Sequence, residues 1–167
     1  RKLGNGPMKT KRHNVFISHS SKNSEEVKAL KERLLAMGHE VRNSSIEKED
    51  YRDYKVKDET IERDLREGIQ WAGTCILLIG KDTLKSDWVK YEIEYACKKG
   101  KPVVGIFVHG LAEKIEIPDE IKKSILTLIG WNSIGKLGDI LDGKIPPIEN
   151  PDGSPAKPFF TMKPIRC

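Results

Sequence analysis

The chain has 167 residues, of which 37% are hydrophobic and 33% are charged. This composition is typical of one globular domain with its own core, and it argues against a disordered chain. No apolar run approaches the ~18 residues that a membrane helix needs. The formal net charge is +5, but lysines alternate with acids and no basic stripe carries stacking aromatic residues. We therefore expect a solvated surface that helps to attract small anions, and no nucleic-acid or membrane partner.

The cysteines and the first residues bear on the cellular compartment and on the start of the domain. Cys75 lies in an apolar run, Cys97 lies on the apolar side of a helix pattern, and Cys167 is the last residue. Three cysteines in such positions predict a reducing, cytoplasmic environment without a disulfide framework or a zinc site. Residues 1–12 show no pattern of secondary structure, so this segment is expected to be disordered or a remnant of expression.

Strand and helix patterns alternate along the first two thirds of the chain. Short apolar runs indicate strands, and apolar residues that recur every three or four positions indicate helices. In chain order, strands are predicted at residues 13–18, 39–42, 74–80 and 102–108, and helices at residues 24–37, 58–72 and 86–99. Wholly apolar runs that precede and follow a helix along the chain predict strands that are buried on both faces of the sheet. They therefore predict a right-handed α/β fold with a parallel sheet.

The last third of the chain gives weaker patterns. A helix is predicted to begin near Pro118, a short fifth strand at residues 125–129 and a last helix at residues 133–141. Six of the nine prolines lie beyond Gly143. We therefore expect one domain at residues 13–142, followed by a Pro-rich extension at residues 143–167 that packs on its surface.

The helix predicted at residues 86–99 carries the strongest candidate for a functional residue. Trp88 and Glu92 lie one turn apart, on a different side from the apolar residues that should face the sheet. Those apolar residues are Val89, Ile93, Ala96 and Cys97. A ring and a carboxylate so placed can hold a flat ligand and act on it. Parallel sheets bind ligands near the start of a helix that follows a central strand, which is the position predicted for Glu92.

Motifs of several other functional classes are absent from the sequence. There is no GxGxxG after a strand, no phosphate loop, no GxSxG elbow, no carboxylate cluster at the strand ends and no metal-ligand spacing. The residues alone leave two interpretations of Glu92 open, a catalytic carboxylate or an ordinary solvated residue of a helix. Trp88 likewise either stacks on a ligand or anchors its helix against the sheet.

Several segments of the chain resemble TIR (Toll/interleukin-1 receptor) domains. They are NVFISHSSKN at 14–23, GHEV at 38–41, IQWAGTCILLIG at 69–80 and SDWVKYEIEYACKKGKPVVGIF at 86–107. The nearest variety is the bacterial TIR-like group of Thoeris anti-phage defence, which shares the Asn-Ser-Ser after the second strand and the Ser-x-Trp-Val-x-x-Glu-Ile pattern. The resemblance implies a flavodoxin-like three-layer sandwich, with about five parallel strands and helices on both faces.

The resemblance also implies an activity. Enzymatic TIR domains cleave the nicotinamide–ribose bond of NAD+, and some cyclise or conjugate the ADP-ribose to make a second messenger. NAD+ is then the substrate, with no cofactor and no metal. The family's catalytic Glu falls on Glu92 and its Trp on Trp88. The loops that flank the pocket add the expected substrate-binding residues Ser18, His19, Ser20, Ser21, Lys22, Asn43 and Ser44.

Partners follow from the same resemblance. TIR enzymes are often completed by a neighbouring subunit, which implies a homo-oligomer or an assembly with other TIR subunits, and an effector that senses the product. The alternative is a non-enzymatic TIR scaffold that acts through homotypic association, in which Glu92 is dispensable. A third interpretation is a flavodoxin-like module that binds a nucleotide without turnover.

Overall fold

The computed structural model describes residues 12–20, 24–43, 58–108 and 115–156. Within these ranges one sheet holds the strands β1 (Asn14–Ser18), β2 (Glu40–Asn43), β3 (Thr74–Ile79), β4 (Val103–Phe107) and β5 (Ile125–Ile129). The strand order is β2-β1-β3-β4-β5, and all neighbours pair in parallel. This topology confirms the prediction of a flavodoxin-like α/β sandwich, including its short fifth strand.

The helices of the described residues lie between the strands along the chain. They are α1 (Ser24–Ala36), α2 (Asp58–Trp71), α3 (Asp87–Lys98), α4 (Asp119–Lys122) and α5 (Leu137–Leu141). The last predicted helix differs from expectation, because a 3-10 helix at Trp131–Lys136 precedes a short α5. Ser133 and Gly135 explain the difference, since both residue types disfavour an α-helix. None of these helices combines the length and the apolar character that crossing a membrane requires.

Both faces of the sheet are covered, which makes β3 buried at every position. On one face, the apolar stripes of α1 and α5 pack on the strands. On the other face, the stripes of α2 and α3 pack on side chains that include Phe16, Cys75 and Leu77. Each large apolar side chain removed from water in this way contributes about 1.5–3 kcal/mol before the entropy of ordering is subtracted.

Gly68 lets α2 lie close to β1. A Cβ atom at this position would lie 2.7 Å from Cε1 of Phe16, which is too short for a van der Waals contact. The ring of Phe16 therefore fills the space that a larger residue of α2 would need. This close approach fixes α2 against the strand that ends at Ser18.

The described part of the predicted C-terminal extension, residues 143–156, packs along β5. The amide of Glu149 donates to the carbonyl of Leu128 over 2.9 Å, and Oγ1 of Thr127 donates to the carbonyl of Pro146 over 3.2 Å. Ile148 is 4% exposed, so this segment contributes to the core as well as to the surface. The rest of the extension, and residues 1–11, lie outside the described residues.

The cysteines bear on the prediction of a reducing environment without a disulfide framework. Cys75 is free and buried in β3. Cys97 is disulfide-bonded and half-buried on α3. One bonded cysteine is not a disulfide framework, but the bond at Cys97 departs from the reducing environment that the sequence predicted.

Candidate functional site

The strand order creates a crevice at the carboxyl ends of β1 and β3. From β1 the chain passes through α1 to β2 on one side, whereas from β3 it passes through α3 to β4 on the other side. The helices that follow two neighbouring strands thus diverge. Ligands of open α/β sheets bind at such a topological switch point. Ser18 ends β1 at this crevice, and α3 begins beyond the end of β3.

Local sequence fixes where α3 begins and so where Glu92 lies. Ser86 is the N-cap, and its Oγ accepts a hydrogen bond from the amide of Val89 over 3.3 Å. Asp87 in the first turn is favourable at the positive end of the helix dipole. This start places Glu92 in the second turn of α3, on the side that faces the sheet.

Glu92 belongs to the buried stripe of α3. The buried residues of this helix are Val89, Glu92, Ile93 and Ala96, at intervals of three, one and three. Glu92 is 2% exposed. The sequence-based division into an apolar side and a separate side with Glu92 is therefore wrong, because Val89 and Glu92 are one turn apart on the same side. The burial also excludes the interpretation of Glu92 as a solvated helix residue.

Ser18 and Glu92 meet across the crevice. Ser18 Oγ donates a hydrogen bond of 2.8 Å to Oε1 of Glu92, and both side chains are buried. Burying a carboxylate costs several kcal/mol unless it is hydrogen-bonded, whereas an apolar residue would fit the stripe without that cost. A carboxylate kept at a buried position beside the crevice of an open α/β sheet is typical of a functional site.

Cys75 lies close enough to Glu92 to feel its charge. Burial, and secondly the negative charge of Glu92, raise the pKa of the Cys75 thiol to about 12. The thiol is therefore protonated at physiological pH and is not a thiolate nucleophile. Because Cys75 is the second residue of β3, its thiol also lies away from the carboxyl ends of the strands, where the crevice is.

His19 and Asn43 connect the ends of β1 and β2. Nδ1 of His19 lies 2.9 Å from the carbonyl of Ser20 and donates to it, which leaves Nε2 as an acceptor in the neutral ring. Nδ2 of Asn43 lies 3.4 Å from that Nε2, and Oδ1 of Asn43 accepts from Lys31 of α1 over 3.2 Å. Four residues predicted for the site, Ser18, His19, Ser20 and Asn43, thus lie at the same edge of the sheet.

Trp88 begins an aromatic row between α3 and α2. Its half-buried ring meets Tyr91 edge-on, with 6.0 Å between ring centroids. Tyr91 stacks on Tyr95 at 6.3 Å and accepts a hydrogen bond from Nη1 of Arg66 over 3.1 Å. The ring contacts anchor Trp88 one turn before Glu92, and stacking of Trp88 on a ligand stays a prediction.

The remaining predicted site residues, Ser21, Lys22 and Ser44, lie outside the described residues. Within the described ranges, no group of three His, Cys, Asp or Glu side chains is placed to hold a metal ion. Sequence reasoning missed that Ser18 binds Glu92. The alternation of side chains along a strand was the available signal, since Phe16 and Ser18 point to the face that α3 covers.

A second buried carboxylate, Glu149, was not predicted from the sequence. Its Oε1 accepts hydrogen bonds from the amide of Gly130 over 3.0 Å and from Ser133 Oγ over 2.7 Å, and its Oε2 binds Nζ of Lys136 at 2.8 Å. Burial alone would raise the pKa of Glu149, but the hydrogen bonds outweigh burial, and the net direction is down. Glu149 also lines an open pocket of about 690 Å³, together with apolar residues such as Phe107.

Comparisons with known proteins identify the family. A family model described as the TIR-like domain of the Thoeris protein ThsB matches residues 16–113. Among solved structures, a Clostridium botulinum CMP N-glycosidase, BcmB, is similar with a TM-score of 0.49 and 19% identity, over 77% of this chain and 98% of that chain. No curated protein matches the chain. Because the matched segment is more than half of the sequence, the chain belongs to the family of TIR-like domains of the Thoeris protein ThsB.

Proposed function

We propose that this chain is an NAD+-consuming enzyme that cleaves the bond between nicotinamide and ribose. The observation that carries the proposal is the buried carboxylate of Glu92, hydrogen-bonded by Ser18 at the crevice between β1 and β3. The resemblance of Trp88 and Glu92 to the Trp-Val-x-x-Glu element of TIR enzymes supports it, as does membership of a TIR-like family.

The chemistry of the leaving group explains why one carboxylate is sufficient. Glycosidases usually need a second carboxyl group, because a poor leaving group must be protonated as it departs. The nicotinamide of NAD+ is a cationic ring, and it leaves as a neutral molecule when it takes both electrons of the bond to C1′. No general acid is therefore required, and a carboxylate without an acidic partner can support the reaction.

In this reaction Glu92 stabilises the positive charge that develops on the ribose. The charge passes from the nicotinamide ring to C1′ and the ring oxygen of the sugar as the bond breaks. A carboxylate 4 Å from such a charge is worth about 4 kcal/mol at an effective dielectric constant of ~20, which corresponds to a rate factor of about 10³. Because Glu92 is 2% exposed, substrate entry has to displace the groups that cover it.

Other predicted residues have roles in substrate binding. Trp88 stacks on a flat ring, and a cationic nicotinamide adds a cation–π energy of about 0.5–2 kcal/mol. His19 and Ser20 lie between β1 and α1, where the amino end of the helix suits the diphosphate of NAD+. The positive net charge of the chain helps to attract the same group.

The nucleophile that attacks C1′ after nicotinamide leaves determines the product. Water adds its oxygen to C1′ and loses a proton, which gives ADP-ribose. A nitrogen or oxygen of the ADP-ribose itself gives a cyclic isomer, and an external nucleophile gives a conjugate. In anti-phage immunity a cyclic or conjugated product acts as the second messenger for a separate effector, and the enzyme is active as an assembly of TIR subunits in the cytoplasm.

Mass-resolved analysis of NAD+ incubations tests the proposal. Glu92→Gln should lower nicotinamide release by about 10²–10³-fold, because a neutral amide does not stabilise the ribosyl cation. Glu94→Gln is the matched control, since Glu94 lies two residues along the same helix and is exposed, and it should retain wild-type rates. Thermal unfolding checks that both variants fold.

The same experiment separates the enzyme from the non-enzymatic scaffold. The protein should be assayed over a range of concentrations, so that an assembled state is included. If the wild type releases no nicotinamide at any concentration, or if Glu92→Gln matches Glu94→Gln, the enzymatic proposal is wrong. The scaffold then remains, and Glu92 is a structural residue of the buried stripe.

A further inference from the structure

We propose that Ser18 is the positioning residue for the Glu92 carboxylate in the cleavage of NAD+, an inference that rests on the proposed function. Ser18 donates its hydroxyl hydrogen to Oε1 of Glu92 over 2.8 Å. A serine has one O–H group, so a hydrogen given to the carboxylate is not given to a substrate. This role differs from the substrate binding that the sequence suggested for Ser18.

The hydrogen bond connects two elements that lie far apart in the sequence. Ser18 ends β1, whereas Glu92 lies on the helix that leaves β3 in the opposite direction. The bond therefore spans the switch point and ties the carboxylate to the rigid centre of the sheet. The bond to Oε1 restricts rotation of the carboxyl group about its terminal bond and so helps to hold its charge in place relative to the crevice.

The residue type at position 18 supports this role. Phe16 and Ser18 share the face of β1 that α2 and α3 cover, and Phe16 packs there in an apolar cluster. Ser18 is 1% exposed, so an alanine or valine would be buried at this position without the cost of a hidden hydroxyl. The hydroxyl is explained by the carboxylate that it binds.

Removal of the hydroxyl should change the chemical step more than substrate binding. An O–H donor favours the charged form of a carboxylate, and the charged form is the one that stabilises the ribosyl cation. Without Ser18 Oγ, the carboxylate loses a donor that favours its charged form and a restraint on its orientation. For Ser18→Ala we expect kcat to fall about 10–100-fold and the acid limb of the kcat profile to move to higher pH.

Steady-state kinetics with NAD+ across pH tests the inference. Thr127→Val is the matched control, because Thr127 is fully buried on β5, donates to the carbonyl of Pro146 and does not touch Glu92. Ser18→Ala should leave KM within about twofold, whereas Thr127→Val should change neither kcat nor the acid limb. A raised KM with unchanged kcat, or an acid limb that does not move, overturns the proposal.

A second variant and a second measurement guard against a misfolded protein or an inactive wild type. Ser18→Cys keeps a donor at this position, a weaker one on a larger atom, so its kcat should fall between those of the wild type and Ser18→Ala. A ¹³C NMR titration of the Glu92 carboxyl group, assigned by its loss in Glu92→Gln, should move to higher pH in Ser18→Ala. If the wild type releases nicotinamide but the titration does not move in Ser18→Ala, the role of Ser18 is refuted and the proposed function stands. No nicotinamide release by the wild type overturns the proposed function, and the catalytic role of Ser18 with it.

Discussion

Truncation of Glu149 should loosen the C-terminal segment from the sheet. Glu149→Ala leaves two donors without their acceptor, the amide of Gly130 and the hydroxyl of Ser133, and a buried donor left unpaired costs about 1–3 kcal/mol. Lys136 is half exposed, so water replaces its ion pair at a cost of about 0–1 kcal/mol. We expect the free energy of unfolding to fall by about 3 kcal/mol, and the Tm by about 6–12 °C.

Glu149→Gln separates the hydrogen bonds from the charge. The amide keeps an oxygen for Gly130 and Ser133 but loses the attraction of Lys136, so we expect a loss of about 1 kcal/mol. Urea denaturation followed by circular dichroism measures both variants, and Glu120→Ala and Glu120→Gln, at an exposed carboxylate of α4, are the controls. If Glu149→Ala is no less stable than Glu120→Ala, the hydrogen bonds do not hold the segment.

The pH dependence of this effect has a definite sign. The pKa of Glu149 is lowered in the folded protein from an ordinary value of 4.5. Its stabilising contribution is therefore fully present above pH 4.5 and is lost as the pH falls through the folded pKa. The difference in stability between the wild type and Glu149→Gln should be largest near neutral pH and should shrink in acid. A difference that stays constant down to low pH would show that the carboxylate charge is not involved.

Two further predictions concern the packing and the opposite end of the sheet. Gly105→Ala should cost about 1–3 kcal/mol in urea denaturation, because its Cβ would lie 2.2 Å from Cδ2 of Leu128, whereas Gly135→Ala, with open space around it, should cost nothing. Burial, and secondly the charge of His13, lower the pKa of His39 from 6.5, so its contribution is present above pH 6.5 and is lost as the pH falls through the folded pKa. His39→Gln should therefore lose less stability than the wild type between pH 7 and pH 5, and equal losses would contradict this reasoning.

The fold was predictable because its sheet is buried on both faces. The apolar runs that form β3 and β4 contain almost no polar residues. This pattern distinguishes a parallel sheet that is covered on both faces from an antiparallel sheet with one face exposed to solvent. The boundaries of these strands agree with the structure within about one residue, which is the usual uncertainty of such assignments. The 3-10 helix at Trp131–Lys136 was missed, because local pattern does not separate it from a weak α-helix.

The site was predictable only in part. The position of Glu92 on a helix after the third strand followed from the sequence pattern. The grouping of Ser18, His19 and Asn43 followed from the resemblance to TIR domains. The partner of Glu92 did not follow, since a hydrogen bond between residues 74 positions apart depends on how α3 is set against β1. Periodicity also misplaced Glu92, because a carboxylate in an apolar stripe looks like the edge of a polar side.

Burial of a carboxylate does not by itself identify a catalytic residue in this fold. Glu92 and Glu149 are exposed by only 2% and 5%. Glu149 lies beside the outer strand β5 and pairs with Lys136. Its amide also bonds to the carbonyl of Leu128, so it helps to hold the C-terminal segment on the edge of the sheet. These contacts give Glu149 a structural role. Glu92 lies where the helices after β1 and β3 diverge, and ligands of open parallel sheets bind at such a switch point. Topology, more than burial, therefore supports the proposal that Glu92 carries the chemistry.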